Sequence, residues 1–384
     1  MAIEFHFPDT PQPPGWRLHW PDLDEKHDWI RAMRNCPQDP IHHAEGDVWI
    51  HQEMVLRALI EAESWRNLGE LARGAVFWAA MLHDVAKPKT TREEPDGRIT
   101  ARGHSALGTR MAREILWAME VPFELRELIA NIVRYHQVPF WLLERDDAER
   151  EIVKISQTTR CDWLSLMAEA DIRGRHCQDQ QSILDRIALF RELARDQQCL
   201  GQARAFASPY GRYQYCLGKW HQPDEAPFED FICEVILMSG LPGSGKDYWI
   251  EKHGPDWPVI SLDAIRQEMG VAPTDKQGPV IREARERARE HLRRKQSFIW
   301  NATNISRDMR AQSLQLFEAY RARTTIHFVE ASRQTLFRQN ADRDDAVPEP
   351  VLNKLIRCWE VPNPYEAPEV AYHVQHEHDA GEAE

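Results

Sequence analysis

From about Asp28 to Phe206, apolar residues recur at intervals of three and four. Five stretches carry the repeat most clearly: Val48 to Leu59, Leu71 to Val85, Leu107 to Met119, Leu125 to Tyr135 and Ile183 to Ala194. That spacing puts apolar side chains on one face of a helix. Strand-like alternation is scarce here, so the pattern predicts an all-α domain. Between Ala205 and Asp230 the repeat gives way to prolines, glycines, acids and aromatics, as a connector does. Short apolar runs then alternate with helical stretches, at Val235–Ser239, Val259–Leu262, Phe298–Trp300 and Thr325–Val329. That layout predicts an α/β domain with a parallel sheet. The expected division is 1–225 for the helical domain, 226–368 for the α/β domain and 369–384 for a polar, disordered tail. Residues 1–20 are proline-rich and expected to be irregular.

The chain of 384 residues is long enough for two separate cores. No apolar run approaches the ~20 residues of a membrane span, and the N-terminus lacks the basic and then apolar layout of a signal peptide. The seven cysteines are scattered singly, which indicates neither a disulfide framework nor a cysteine zinc site and suits a reducing cytoplasm. A net charge of −13 argues against broad nucleic-acid coating while allowing a local basic groove.

The run Val235–Ser239 feeds Gly240-Leu241-Pro242-Gly243-Ser244-Gly245-Lys246. An apolar strand, a glycine-rich turn and a lysine opening a helix form the pattern that cradles nucleotide phosphates on backbone N–H groups. Gly240, Pro242, Gly243, Ser244, Gly245 and Lys246 are therefore candidates for NTP binding. Asp247 stands where a Ser or Thr normally meets Mg²⁺; its carboxylate can bind Mg²⁺ but also repels phosphates. Asp263 sits at the end of the second run, where it can accept the proton of an attacking hydroxyl or cap the helix that follows. Arg266 shares its helix face. An arginine-rich helix over 281–296 carries a local surplus of four positive charges. It reads either as a solvated helix laced with ion pairs or as part of a nucleic-acid groove. After the third run, Thr303, Asn304 and Arg307, with Arg310 behind, are candidates for substrate binding. Arg333, Arg338 and Arg343 follow the fourth run, where a lid closing over a γ-phosphate would need positive charge.

In the helical half, His51, His83, Asp84, His104, His136 and Asp171 stand out by spacing. His83 and Asp84 end a strongly apolar stretch, where burying an imidazole beside a carboxylate is costly unless something pairs them. A divalent metal would do so. GDVWIHQ, HDVAKP, GHSALG, RYH and AEADIRGR together resemble the HD superfamily of metal-dependent phosphohydrolases over about Glu45 to Asp171. The resemblance implies metal ligands at His51, His83, Asp84 and Asp171, and places His104 and His136 near a second metal or the scissile phosphate. Lys87, one turn beyond His83, is expected to meet a phosphate oxygen.

GLPGSGK, LDAIR, NATN with its downstream arginines and RQNADR before VP resemble polynucleotide 5′-kinases over about 232–365. By that resemblance Lys246 binds NTP phosphates, Asp263 is the general base, Arg266 binds the acceptor's phosphate, and Arg338 and Arg343 belong to a lid. The order of the two halves resembles the HD-Pnk family of bifunctional nucleic-acid end-healing enzymes. This implies removal of 2′,3′-cyclic phosphate or phosphate at 3′ ends and phosphorylation of 5′-OH ends. The cofactors implied are NTP (ATP or GTP) with Mg²⁺ and one or two divalent ions, a transition metal being favoured. The partners implied are RNA or DNA ends and a ligase of the same pathway, with no membrane. Two other readings stay open on the residues alone. One is a small-molecule phosphohydrolase fused to a nucleoside or sugar kinase. The other is an HD phosphatase regulated by a non-catalytic, NTP-sensing P-loop domain.

Overall fold

The computed structural model describes residues 4–272, 275–343 and 346–375. They form two compact units, 1–204 and 205–384. The division falls about twenty residues before the expected boundary at 225. The stretch read as a connector is part of the second unit: Pro209–Cys216 is helical, Phe206 rests edge-on against Tyr215, and Tyr210 against Phe231. Its aromatics supply apolar surface that periodicity alone does not register.

The first unit is a helical domain. Its main elements are α1 (Val48–Glu61), α2 (Glu70–Leu82), α3 (His104–Ala118), α4 (Phe123–Tyr135), α5 (Val138–Trp141), α6 (Cys161–Arg173) and α7 (Gln180–Asp196). Each of the five periodic stretches is a helix, with ends shifted by a few residues. α2 is buried from Gly74 to Leu82 and delivers His83 and Asp84 into the interior at its C-terminal end. α1 is capped by Asp47, whose side chain accepts from the Ile50 amide at 2.9 Å. α6 runs against α1 at Gly174, where an added Cβ would meet the Val55 amide nitrogen at 2.6 Å. That close approach brings Asp171 to His51. The short antiparallel pair Arg92–Glu93 and Ile99–Thr100 precedes α3.

The second unit is an α/β domain. Its five described strands are all parallel: β1 (Cys233–Ser239), β2 (Val259–Ser261), β3 (Phe298–Asn301), β4 (Ala322–Glu330) and β5 (Glu369–Val374), in the order β2-β3-β1-β4-β5. β1 is central; Val235 pairs with Phe298 on one side and Thr324 on the other. Besides Pro209–Cys216 and Glu349–Arg357, its helices are α8 (Lys246–His253), α9 (Leu262–Glu268), α10 (Gly278–Arg293), α11 (Arg307–Glu318) and α12 (Arg333–Ala341). The helix α10 buries Val280, Ala284, Ala288 and Leu292 at four-residue spacing against the sheet core that includes Val235, Phe298 and Trp300.

β5 corrects the expectation of a tail from 369. Residues 369–374 pair with 325–330, and the remainder of that stretch, 376–384, lies outside the described residues. An edge strand is held by its backbone ladder and needs few apolar side chains, so a polar composition conceals it.

Candidate functional site

Six side chains converge inside the helical unit from five places in the chain. His51 comes from the second turn of α1, His83 and Asp84 from the end of α2, and His104 opens α3. His136 closes α4, and Asp171 lies in the last turn of α6. All six are buried, with exposures between 0% and 7%. His51 Nε2 lies 3.2 Å from Asp171 Oδ1 and 3.7 Å from Asp84 Oδ2. His83 Nε2 is 3.2 Å from Asp84 Oδ2. On the other carboxylate oxygen, Asp84 Oδ1 faces His104 Nε2 at 3.6 Å and His136 Nε2 at 4.0 Å. His51, His83 and Asp171 thus make one group of donors, Asp84, His104 and His136 another. Asp84 stands between them.

The tautomers follow from the outer contacts. Nδ1 of His83, His104 and His136 lies 2.7 to 2.8 Å from the carbonyls of Ala80, Ala101 and Val133. A carbonyl only accepts, so each Nδ1 donates and each Nε2 turns a lone pair inward. His51 Nδ1 faces both Glu45 Oε1 at 2.9 Å and the Gly174 carbonyl at 3.3 Å. The consequence is a concentration of unpaired electron density. His104 Nε2 and His136 Nε2 stand 3.3 Å apart. His51 Nε2, His83 Nε2 and both Asp84 oxygens are buried without a hydrogen-bond partner. Lys87 Nζ is 2.6 Å from Asp84 Oδ2, an ion pair whose angle makes no hydrogen bond. Leaving such groups buried is costly unless a cation completes them. Imidazoles and carboxylates fit one or two divalent transition ions.

The electrostatics agree for His136 and His104, whereas at His83 the lowering effect of burial is outweighed by Asp84 and Asp171, which raise it. Burial holds His136 down at about 3, helped by His104 and His83, and burial also lowers His104. Both imidazoles are neutral at pH 7, as ligands must be. Burial alone would raise the Asp84 and Asp171 carboxyls. Lys87 with the histidines keeps Asp84 well below the usual range, and Arg175 with His51 and His83 does the same for Asp171.

Several supporting residues escaped the sequence reading. Glu45 joins His51 Nδ1, His43 Nδ1 at 2.8 Å and the His176 amide at 2.9 Å. Arg175 grips Asp171 with two hydrogen bonds of 2.9 and 2.7 Å, and Gln38 accepts from Lys87 at 2.7 Å. Arg175 had a signal, its four-residue offset from Asp171; Glu45 and Gln38 lie in loops and had none. Lys87, His43, His104 and Arg175 border a cavity of about 380 Å³, so Lys87 both holds Asp84 and faces the space where a phosphate would enter.

In the α/β unit the glycine-rich loop runs from β1 into α8. Gly240 has φ +154°, and a Cβ there would meet the Val329 carbonyl oxygen at 2.4 Å, so the loop closes only with glycine. Lys246 Nζ donates to the carbonyls of Gly240 and Leu241 at 3.0 and 2.9 Å, folding the side chain back along the loop. Its ammonium is pulled down to about 8, chiefly by burial, against the raising influence of Asp247 and Asp263 and with a further lowering from Arg343.

Asp263 is exposed at the start of α9 and pairs with Arg266 at 2.7 Å. The cap of α9 is Ser261, which accepts from the Ala264 amide. Capping therefore does not explain Asp263. Asp247 accepts from Asn301 Nδ2 at 2.7 Å, which offsets part of the negative charge it brings to the loop. α12 lies on the loop, with the Leu336 carbonyl oxygen and the Asn340 amide nitrogen 3.1 and 3.2 Å from where a Gly243 Cβ would be. Ser244 is buried within the loop, Arg338 is exposed on α12, and Arg343 follows that helix.

Two expectations change. Asn304 is buried, with its side-chain amide on the Met238 carbonyl at 2.7 Å, and the Thr303 carbonyl accepts from the Gly240 amide at 2.9 Å. Both tie β3's exit to the loop, and Asn304's amide is not offered to a substrate. Arg310 is fully buried in a two-bond pair with Glu366, at 2.7 and 3.0 Å, because the interior accepts a guanidinium only when it is matched. Arg307 remains exposed. In α10, Arg287 pairs with Glu283 and Glu268, and Arg289 and Arg293 pair with Glu286, so these arginines lace a solvated helix.

Comparisons with known proteins divide the chain in the same way. A family described as "HD domain" matches residues 48–159, and one described as "AAA domain" matches residues 235–362. Over its HD region the chain is similar to the A-adding tRNA nucleotidyltransferase of Deinococcus radiodurans, 33% identical over 140 residues, which are 36% of this chain and 30% of that one. It is also similar to the CC-adding tRNA nucleotidyltransferase of Thermus thermophilus, 42% identical over 109 residues, covering 26% of this chain and 25% of that one. The chain thus spans less than a third of the length of each of these two relatives. A crystal structure from Chloroflexus aurantiacus covers 38% of this chain and 91% of its own at 18% identity, with a TM-score of 0.33, too loose a likeness to argue from. Among the described residues no helix is long and apolar enough to cross a membrane. The protein combines a helical HD phosphohydrolase-type domain with a P-loop, kinase-like α/β domain.

Proposed function

We propose that the protein heals the ends of broken nucleic-acid strands. The HD domain removes a 2′,3′-cyclic phosphate or a phosphate from 3′ ends, and the P-loop domain moves the γ-phosphate of an NTP onto 5′-hydroxyl ends. The observation that carries the reading is the pairing, on one chain, of the Asp84-centred donor cluster with a glycine-rich loop and lysine that are followed, after the next strand, by Asp263, an exposed carboxylate that caps no helix. A hydrolase and a kinase with products of this kind would leave the 3′-hydroxyl and 5′-phosphate that a ligase joins. Relatives named for tRNA chemistry support a nucleic-acid substrate for the HD domain.

His51, His83 and Asp171 would hold one divalent ion, and Asp84, His104 and His136 a second. Bound there, such ions supply hydroxide at neutral pH and positive charge beside the phosphate. Lys87 donates to a phosphate oxygen while it keeps Asp84 ionised, and Arg175 keeps Asp171 ionised and in place. In the P-loop domain Lys246 exchanges its two loop carbonyls for β- and γ-phosphate oxygens. Asp263 accepts the proton of the 5′-hydroxyl as that oxygen bonds to the γ-phosphorus and the NDP leaves. For this Asp263 must part from Arg266, which is thereby freed for the acceptor's phosphate. Arg343 adds positive charge from beyond α12.

An oligonucleotide with a 5′-hydroxyl and a 2′,3′-cyclic phosphate, offered with [γ-³²P]ATP beside free nucleosides, tests the proposal. The expected result is label on the oligonucleotide and loss of its 3′ phosphate. His83→Ala is expected to abolish only 3′ processing, and Lys246→Ala only 5′ labelling. Label confined to the nucleosides overturns the reading.

A further inference from the structure

The cavity in front of the histidine cluster is about 380 Å³, a size suited to a small ligand. Part of its wall is charged, with Lys87 and Arg175; another part is aromatic, with Phe140 and Trp141. The two aromatics sit side by side on α5, which begins two residues after His136, yet they behave differently. Phe140 is 1% exposed and packs with Ala168, Ile172, Ile183 and Ile187. Trp141 is 46% exposed.

Trp141 is nevertheless held. The Arg186 guanidinium lies over its ring, 4.9 Å from the centroid. Arg186 is fixed in turn by Glu144 at 2.8 Å and by the Phe140 carbonyl at 3.2 Å. Arg186 is not among the described residues that border the cavity, whereas Trp141 is. The guanidinium therefore occupies one face of the indole, while Trp141 itself borders the cavity.

We infer that Trp141 is a stacking platform for the base of the nucleotide whose phosphate is processed at the histidine cluster. The inference rests on the reading of the HD domain as an enzyme of nucleic-acid ends, and adds to it how the terminal nucleoside is held. A flat, apolar ring clamped on one side is pre-ordered, so binding costs little further side-chain entropy. Every base has a π-face, so stacking favours the presence of a base over its identity. The result is a site that accepts any terminal base and disfavours an end that lacks one.

A double cycle tests this. Wild type, Trp141→Ala, Trp141→Leu and Trp141→Phe are assayed for phosphate release from 3′-phosphorylated oligonucleotides ending in an ordinary or an abasic residue. On the ordinary end, Ala and Leu are expected to lower kcat/KM by about 5- to 150-fold, the value of one stacked base. The loss should fall mainly on KM. Phe should recover most of it. Wild type should lose a similar factor on the abasic end, where Ala and Leu should cost nothing more; that retained activity also shows an intact fold and cluster. Equal losses on both ends, or no loss on either, overturn the platform. If wild type processes no oligonucleotide end, the end-healing reading has failed. The same cycle with nucleoside monophosphates against abasic sugar phosphates then decides the platform separately.

Discussion

Glu45→Gln tests the side-chain support of His51. Three of the four inward-facing histidines are oriented by backbone carbonyls, which no side-chain change removes. His51 is oriented by the Glu45 carboxylate at 2.9 Å as well as by the Gly174 carbonyl at 3.3 Å. Burial would raise that carboxyl, but hydrogen bonds from His43, His51 and the His176 amide hold it well below the usual carboxylate range. Glu45 is therefore an anion at every working pH and strengthens the electron donation of His51. Glutamine keeps the shape and an acceptor oxygen while removing the charge. Loss of such an outer carboxylate typically lowers metal affinity 10- to 100-fold, or about 1.4 to 2.8 kcal/mol. The assay is competition with a fluorescent chelator on the full chain loaded with Zn²⁺ or Mn²⁺, with circular dichroism to confirm the fold. Glu45→Gln is expected to weaken the retained ion by that factor and to leave NTP binding at Lys246 unchanged. An unaltered metal affinity with unaltered structure would refute the assignment of His51 as a ligand oriented by Glu45.

Two other outcomes follow from single side chains. Lys246 titrates at about 8 before NTP arrives, while the phosphates of a bound NTP favour its charged form. Binding above pH 8 must then take up a proton, so NTP affinity should fall by up to about tenfold per pH unit above 8 and stay flat below it. A titration by calorimetry from pH 6.5 to 9.5 that gives no such bend would show that Lys246 is not the phosphate contact. Arg310→Leu leaves Glu366 buried without its partner, an error of about 3 to 5 kcal/mol, which in a unit of this size is about 10 °C in the melting temperature of the second unit. A shift under about 2 °C by differential scanning calorimetry would mean that water reaches Glu366.

The parts of the fold legible in the sequence were those where one face of an element is buried and the other is not. α1, α2, α3, α4 and α7 all carry a periodic apolar stripe, and β1 to β4 are short apolar runs between turns. α6 reads poorly by this rule because it is buried nearly all round, from Trp163 to Ala170 and on through Asp171. β5 fails for the opposite reason: it lies at the sheet edge with its side chains only partly buried. The Ala205–Asp230 stretch fails because aromatic packing between distant residues leaves no local period.

The sites divide along the same line. The six donors of the cluster could be named because each sits in a short segment whose types and order are tied to its chemistry. Glu45, Gln38 and Trp141 could not, because what they do depends on a partner far along the chain: His176, Lys87 and Arg186. Asn304 and Arg310 show the reverse hazard. Polar and basic groups at a strand end look like substrate contacts, yet these two fulfil internal needs, a Met238 carbonyl and a buried Glu366. Asp263 escapes that fate for a local reason. Ser261, two residues earlier, already caps α9, and Arg266 reaches Asp263 only through an exposed i,i+3 pair, worth at most about 1 kcal/mol. A carboxylate so weakly engaged can be recruited by a substrate hydroxyl at little cost, whereas one that capped a helix could not.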